Sequence, residues 1–259
     1  MSINPIGIFD SGVGGTSIWR EIHQILPHES TIYLADSKYA PYGPKGAKRI
    51  KELCIKNTEL LLEKKCKLIV VACNTATTNA VTYLRNTYDV PFIGIEPAIK
   101  PAALQTKTNA IGILATKGTL SSSLFHKTSN LHASGIEIIE QIGEGIVPLI
   151  ENGKTYSEEM RALLQLYLQP MLDANIDHLV LGCTHYPYLI PTLLEMLPSH
   201  IKIIDSGEAV ARQTKVILEQ KKLLNTQNSN ANITFYTNGN SAVMEQLLNA
   251  NYVVEHLDF

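Results

Sequence analysis

The sequence predicts an α/β protein of two similar lobes, each a mostly parallel sheet covered by helices, with the active site in the cleft between them. Three observations carry this expectation. Short apolar runs recur along the 259 residues and alternate with longer amphipathic stretches. The runs are nearly continuous in Ile, Val and Leu, as strands buried on both faces require. Finally, the order of runs repeats itself in the second half of the chain.

Nine runs read as strands: 6–9, 31–35, 68–72, 92–95, 110–114, 136–139, 178–181, 201–204 and 233–236. The stretches 16–26, 47–65, 77–87, 156–175, 190–197, 208–224 and 242–249 read as helices. In 47–65, Ile50, Leu53, Cys54, Leu60 and Leu61 share one face and charges take the rest. Strand alternating with helix is the pattern of a parallel α/β sheet.

The repeat is specific in order and spacing. Ile6-Gly7-Ile8-Phe9-Asp10-Ser11 resembles Ile111-Gly112-Ile113-Leu114-Ala115-Thr116, at an offset of 105 residues. Leu68-Ile69-Val70-Val71-Ala72-Cys73-Asn74-Thr75 resembles His178-Leu179-Val180-Leu181-Gly182-Cys183-Thr184-His185, at an offset of 110. Residues 91–96 then correspond to 202–205. The expected division is a first lobe of residues 1–98, completed by 209–259, and a second lobe of 99–208. The Ala- and Pro-rich segment 97–108 marks the boundary. The residues from about 210 onward should supply one helix, one strand and one more helix, packed back on the first lobe.

Composition excludes several classes. With 45% hydrophobic and 18% charged residues the chain is globular rather than disordered. The 22 basic and 24 acidic residues give a net charge of −2 and form no basic stripe, so neither nucleic acid nor an anionic membrane is expected as a partner. No apolar run reaches the ~20 residues of a membrane span. Residues 1–10 carry no basic stretch followed by an apolar one, and the four cysteines form no CxxC pair. Reduced thiols and a cytoplasmic location are the expectation.

In parallel α/β sheets ligands bind beyond the carboxyl ends of strands. Here those ends hold Asp10-Ser11, Asp36-Ser37, Cys73-Asn74-Thr75, Glu96, Thr116, Cys183-Thr184-His185 and Asp205-Ser206. Cys73 and Cys183 occupy equivalent strand ends, so facing lobes would aim two thiols into one cleft. Identical acid–base groups on opposite faces of one carbon suit stereoinversion: one thiolate takes a proton and the opposing thiol returns one. A thiol pKa of about 8.5 needs only modest tuning for this. Asp10 and His185 are the available neighbours. Cys54 and Cys66, on a helix face and at a helix end, read as packing residues. Two other readings remain open. Cys73, Cys183 and His185 would make a Cys₂His zinc set, which leaves the repeat relation of the cysteines unexplained. A nucleophilic Cys183–His185 pair leaves Cys73 without a role.

Asp10-Ser11-Gly12-Val13-Gly14-Gly15 follows a strand and precedes a helix, which invites a dinucleotide reading with Asp36 on the ribose. Ser17 at the third glycine position and the carboxylate of Asp10 oppose it. The open N–H groups of the glycines favour a small anion instead, such as a substrate carboxylate. Pro41-Tyr42-Gly43-Pro44 is a rigid turn that could rim the cleft. Ser11, Asn74, Thr75 and Thr184 are neutral donors suited to carboxylates or to capping the helices that follow them.

Four segments together, Asp10-Ser11-Gly12-Val13-Gly14-Gly15, Pro41-Tyr42-Gly43, Ala72-Cys73-Asn74-Thr75-Ala76 and Gly182-Cys183-Thr184-His185-Tyr186-Pro187, resemble the glutamate racemases over essentially the whole chain. The resemblance implies a cofactor-independent and metal-free enzyme that interconverts L- and D-glutamate and supplies D-glutamate to bacterial peptidoglycan. It implies that Cys73 works on the D-enantiomer and Cys183 on the L-enantiomer, assisted by Asp10 and His185. It places Asp10, Ser11, Tyr42, Gly43, Asn74, Thr75, Thr184 and His185 at substrate-binding positions, with Thr116 as a further contact. A homodimer is the common assembly in that family. The related aspartate racemases share the two cysteines, but typically have Thr and Glu after the second, where this chain has Thr184-His185. A racemase for another acidic amino acid and a non-catalytic periplasmic-type binding module are the rival readings; the paired thiols count against the latter.

Overall fold

The computed structural model describes residues 3–227 and 231–259. Met1 and Ser2, the start of the segment read for an export signal, lie outside them. The chain runs β1 (Ile6–Asp10), α1 (Thr16–Ile25), β2 (Thr31–Ala35), α2 (Ala47–Glu63), β3 (Leu68–Val71), α3 (Asn74–Thr87) and β4 (Phe92–Gly94). It crosses through α4 (Ile99–Gln105) to β5 (Ala110–Ala115), α5 (Lys117–Leu120), α6 (Ser123–His132), β6 (Glu137–Ile142), α7 (Ile146–Glu151) and α8 (Glu158–Asp173). The second lobe ends with β7 (His178–Gly182), α9 (Ile190–Met196) and β8 (Lys202–Ile204). The chain returns along α10 (Gly207–Gln220) to β9 (Ile233–Thr237), α11 (Ser241–Leu247) and β10 (Val254–His256).

Two sheets result, ordered β10-β9-β2-β1-β3-β4 and β6-β5-β7-β8. Every strand pair in them is parallel. The order β2-β1-β3-β4 is repeated as β6-β5-β7-β8, so the sequence repeat is a repeat of topology. Registers agree too: Phe9 pairs with Val71 in the first sheet, and Leu114 with Leu181 in the second. The end of β1 therefore lies beside the start of α3, and the end of β5 beside the segment after β7.

The central strands are buried on both faces because helices cover each side. On one face of the first sheet, Phe9, Leu34, Ile69 and Val71 pack against Ile50, Leu53, Cys54 and Leu61 of α2 and Ala80 and Leu84 of α3. On the other face, Ile6, Ile8, Tyr33 and Val70 meet Ile18 and Ile22 of α1 and Val210 and Leu218 of α10. This second cluster continues into the other lobe through Leu114, Leu179 and Leu181. Cys54 and Cys66 sit in the core as expected. Burial pushes the Cys66 thiol up to about 12 and raises that of Cys54 as well.

Several elements depart from the sequence reading. The boundary segment holds the helix α4, because Ile99, Ala102 and Ala103 are buried. Helices α5, α6 and α7 were not legible. In α6 only Phe125 is buried, so there is no apolar stripe, and the helix is set by Ser122, whose hydroxyl accepts the Phe125 N–H at 3.2 Å. α3 begins at Asn74 rather than 77, capped by the Cys73 sulfur. The C-terminal segment adds a second strand, β10, beside β9, and β9 pairs with β2.

At the ends of the first sheet away from the cleft, Lys67 and Glu29 form an ion pair of 2.6 Å with both side chains 2% exposed. Glu29 also accepts the Asn225 N–H at 2.7 Å, tying down the segment after α10. Removing one partner of a buried pair strands the other charge, at a cost of about 3–5 kcal/mol. Lys67→Met should lower the unfolding free energy by about that amount in urea titrations while leaving kcat per folded molecule unchanged.

Candidate functional site

The two matched strand ends face each other. Cys73 follows β3, and its Sγ accepts the Ala76 N–H at 3.4 Å and lies 3.6 Å from the Ser11 hydroxyl. Cys183 follows β7, with its Sγ 3.8 Å from Nδ1 of His185. Both thiols line one small cavity of about 10 Å³, together with Ser11, Tyr42, Gly43, Asn74, Thr75, Thr116, Thr184 and His185. Pro41, Val147 and Gly182 complete the wall. That volume has room for about one water molecule. Among the described residues, no group of three or more His, Cys, Asp or Glu is disposed to hold a metal ion.

Asp10 is fully buried and does not line the cavity. It stands behind Ser11, and its carboxylate accepts the Gly15 N–H at 2.8 Å, with the hydroxyls of Ser11 and Thr184 each at 3.4 Å. Tyr42 lines the cavity, while its hydroxyl donates to Asp36, which does not. Asp36 is fully buried and bonded to the chain's own groups, so it is not open to a ribose. Asn74, 2% exposed, has no partner for either side-chain polar atom. A buried amide in that state is held ready for a ligand, since leaving it unpaired costs free energy.

The glycine-rich loop corrects an expectation. The N–H groups of Val13 and Gly15 are taken by side chains of this chain rather than left open for a small anion. The Val13 N–H goes to Oε1 of Glu151 at 2.7 Å and the Gly15 N–H to Asp10, while Gly14 N lies 3.3 Å from Nε2 of His185. The glycines are there for close approach. A Cβ at position 12 would lie 1.9 Å from Glu151 Oε1, and one at position 14 would lie 2.2 Å from His185 Nδ1. A side chain at either place would displace Glu151 or His185 from its position against the loop.

Glu151, at the end of α7, is the site residue the sequence did not reveal. It bonds Nε2 of His185 at 2.6 Å and the Ser37 hydroxyl at 2.9 Å. It lies 34 residues before His185, in a helix with no legible periodicity, so no local signal marked it. Other bonds also close the cleft. Thr75 Oγ1 meets Thr116 at 2.7 Å and Thr119 at 3.3 Å, and the Ser17 hydroxyl donates to the Thr184 carbonyl at 2.9 Å. Thr184, a possible helix cap in the sequence, turns instead to Asp10. The cap of α3 is Cys73 itself, with Asn74 and Thr75 inside its first turn.

Electrostatics separate the groups. Burial pushes the Cys73 thiol well above its usual range, and the nearby Asp10 and Cys183 charges raise it further against the Ala76 and Ser11 hydrogen bonds. Burial also raises the Asp10 carboxyl, with His185 and the Gly15 N–H pulling it partly back. For His185 burial alone would lower the imidazole, but hydrogen bonds to Cys183 and Glu151 and their charges outweigh it and leave it well above its ordinary value. An imidazolium held by Glu151 on Nε2 presents a proton on Nδ1 to the Cys183 sulfur.

The sequence model of the Asp/Glu/Hydantoin racemase family matches residues 6–214. The chain belongs to that family. As a member of the Asp/Glu/hydantoin racemase family it is an enzyme of the isomerase class. It is 46% identical over 245 residues to the glutamate racemase of Ectopseudomonas mendocina (strain ymp), covering 94% of this chain and 93% of that one. Its fold matches the Escherichia coli glutamate racemase solved with L-glutamate and the activator UDP-MurNAc-Ala, with a TM-score of 0.87 and 33% identity over 98% of both chains. The Francisella tularensis glutamate racemase in complex with D-glutamate gives a TM-score of 0.84 at 29% identity, covering 99% of this chain and 98% of that one.

The His185–Glu151 pair should be visible in the pH dependence of stability. Because the folded imidazole is raised above its unfolded value of about 6.5, its stabilisation is complete below that pH and is lost as pH rises through the folded value. Urea midpoints should fall as pH rises above about 6.5, and His185→Asn should flatten that fall.

Proposed function

We propose that this racemase interconverts L- and D-glutamate with two thiols and no cofactor. One observation carries the reading: Cys73 and Cys183 enter the same closed cavity from opposite lobes, each with its own proton-exchanging neighbour. From L-glutamate, the Cys183 thiolate takes the α-proton, and the carbanion takes a proton from the Cys73 thiol on the other face. The enzyme is left with a Cys183 thiol and a Cys73 thiolate, which reset by proton exchange through His185 and Asp10. The reverse direction starts at Cys73.

The α-proton of an amino acid is hard to remove because the carbanion is poorly stabilised. Preorganised donors on the substrate carboxylates and exclusion of water are what such a site must offer. The roles fall to Ser11, Asn74, Thr75, Thr116, Thr184 and His185, with the 42–43 backbone. A cavity of about 10 Å³ cannot admit glutamate, so the cleft must open for binding and close for chemistry. A role in supplying D-glutamate for peptidoglycan, a cytoplasmic location and a homodimer are part of the same proposal. Among the described residues no helix is long and apolar enough to cross a membrane.

Racemisation followed by circular dichroism on both enantiomers tests the reading. Cys73→Ala and Cys183→Ala should each lose at least about 10²–10⁴-fold in kcat, the usual contribution of a positioned acid or base. With a glutamate analogue bearing a β-leaving group, elimination needs only one base. Cys73→Ala should still process the L-analogue and Cys183→Ala the D-analogue; loss of the same enantiomer in both would end the opposed-thiol mechanism. Aspartate should be a poorer substrate by about tenfold to a hundredfold in kcat/KM, since a shorter chain leaves buried donors such as Asn74 unpaired. Equal kcat/KM on the two amino acids would overturn the glutamate assignment.

A further inference from the structure

Lys56 lies on α2 and does not line the cavity. We propose that it is a positioning residue for the racemase reaction, holding Asp36 so that Asp36 fixes Tyr42 and the 41–43 turn as one wall of the cavity. The inference rests on the glutamate racemase reading and adds a residue to it.

The connections are continuous. Lys56 Nζ is 2.8 Å from Asp36 Oδ1 and 3.1 Å from the Phe259 carbonyl oxygen. The same ammonium lies over the rings of Tyr39 and Phe259, at 4.6 and 4.9 Å from their centroids. It is thus held on several sides, with its side chain 31% exposed, while Asp36 is wholly buried. On its other oxygen Asp36 accepts the Tyr42 hydroxyl, and Asn57 Nδ2 lies 3.4 Å from that oxygen and 3.2 Å from the phenol. Asn238, just after β9, donates to Oδ1 at 2.6 Å and accepts the Lys38 N–H at 2.9 Å. Tyr42 itself is 1% exposed and stands in a turn with no helix or strand of its own to hold it.

Each member of this network has a different reason to be there. Asp36 is a carboxylate that no water reaches, and Lys56 is the cation paired with it. Without that cation the buried charge is uncompensated, and its remaining donors must rearrange around it. Of those donors Asn57 is fixed on α2, whereas Tyr42 belongs to the turn that touches the cavity. Displacement would therefore pass into the substrate wall. The wall exchanges no proton with the substrate, so its displacement is expected to weaken binding of both enantiomers and raise KM more than it lowers kcat.

The experiment compares wild type with Lys56→Met, Lys56→Arg, Tyr42→Phe and the Lys56→Met/Tyr42→Phe double variant. Lys56→Met should raise KM for both glutamate enantiomers about tenfold with kcat within about twofold, and Lys56→Arg should recover most of the loss. In the Tyr42→Phe background the same Lys56 change should have little further effect on KM, because the two act through one chain of bonds. If Lys56→Met is too unstable to purify, Asp36→Asn/Lys56→Met, which buries no unpaired charge, takes its place with the same expected rise. Hydrogen exchange supplies a readout independent of turnover: amides of residues 40–46 should lose protection in Lys56→Met while those of β7 do not. An unchanged KM, a loss confined to kcat, KM effects that simply add, or unchanged exchange in 40–46 would each overturn the positioning role. Failure of the wild type to racemise glutamate would instead overturn the substrate assignment, and the exchange comparison would still decide whether Lys56 holds the turn.

Discussion

The closed site depends on Glu151, a carboxylate from the second lobe that reaches across the cleft. It accepts the Val13 N–H and the Ser37 hydroxyl from the first lobe and pairs with His185 beside Cys183. One side chain therefore joins closure of the cleft to the charge on the imidazole that faces a thiol. A charged group so placed is stable only while its partners are present. Opening the cleft takes away the Val13 and Ser37 contacts and lets water reach the pair. In the closed structure the charge on His185 and the contacts that hold the lobes together rest on the same carboxylate.

The glycine-rich loop shows the same constraint from the other side. In a dinucleotide-binding protein such a loop leaves its N–H groups to a pyrophosphate. Here Gly12 and Gly14 lack side chains because Glu151 and His185 occupy the space a Cβ would need. The loop accommodates anionic and aromatic groups from the other lobe of the same chain. Within the cavity lining, Asn74 is the residue whose side-chain polar atoms have no partner, and this is what a substrate can satisfy.

Burial sets the chemistry. Cys73 and Asp10 are both pushed upward by removal from water, and each is adjusted by the other. The two lobes treat their thiols differently: a carboxyl group stands behind Cys73, and an imidazolium stands beside Cys183. The sheets repeat, but the groups that serve the thiols do not. An inversion reaction run in both directions has no need of identical neighbours, only of a proton donor on one face and an acceptor on the other.

Much of this was written in the chain itself. Apolar runs ending in Asp10, Cys73 and Cys183, with the offsets between them, determined the parallel sheets, their repeat and the placing of two thiols at matched strand ends. A strand buried on both faces needs consecutive apolar residues, and that demand is visible locally. Helix α6 shows no apolar stripe because only Phe125 is buried, and α4, α5 and α7 are too short to display a helical period. Asp10 stands behind the cavity and the Tyr42 hydroxyl points away from it, which no spacing could express. Glu151, Thr119, Val147 and the Asp36–Lys56 network joined the site only on folding. Their partners come from the other lobe or from distant elements of the same lobe, and contacts of that kind are fixed by how surfaces meet in space rather than by any pattern along the chain.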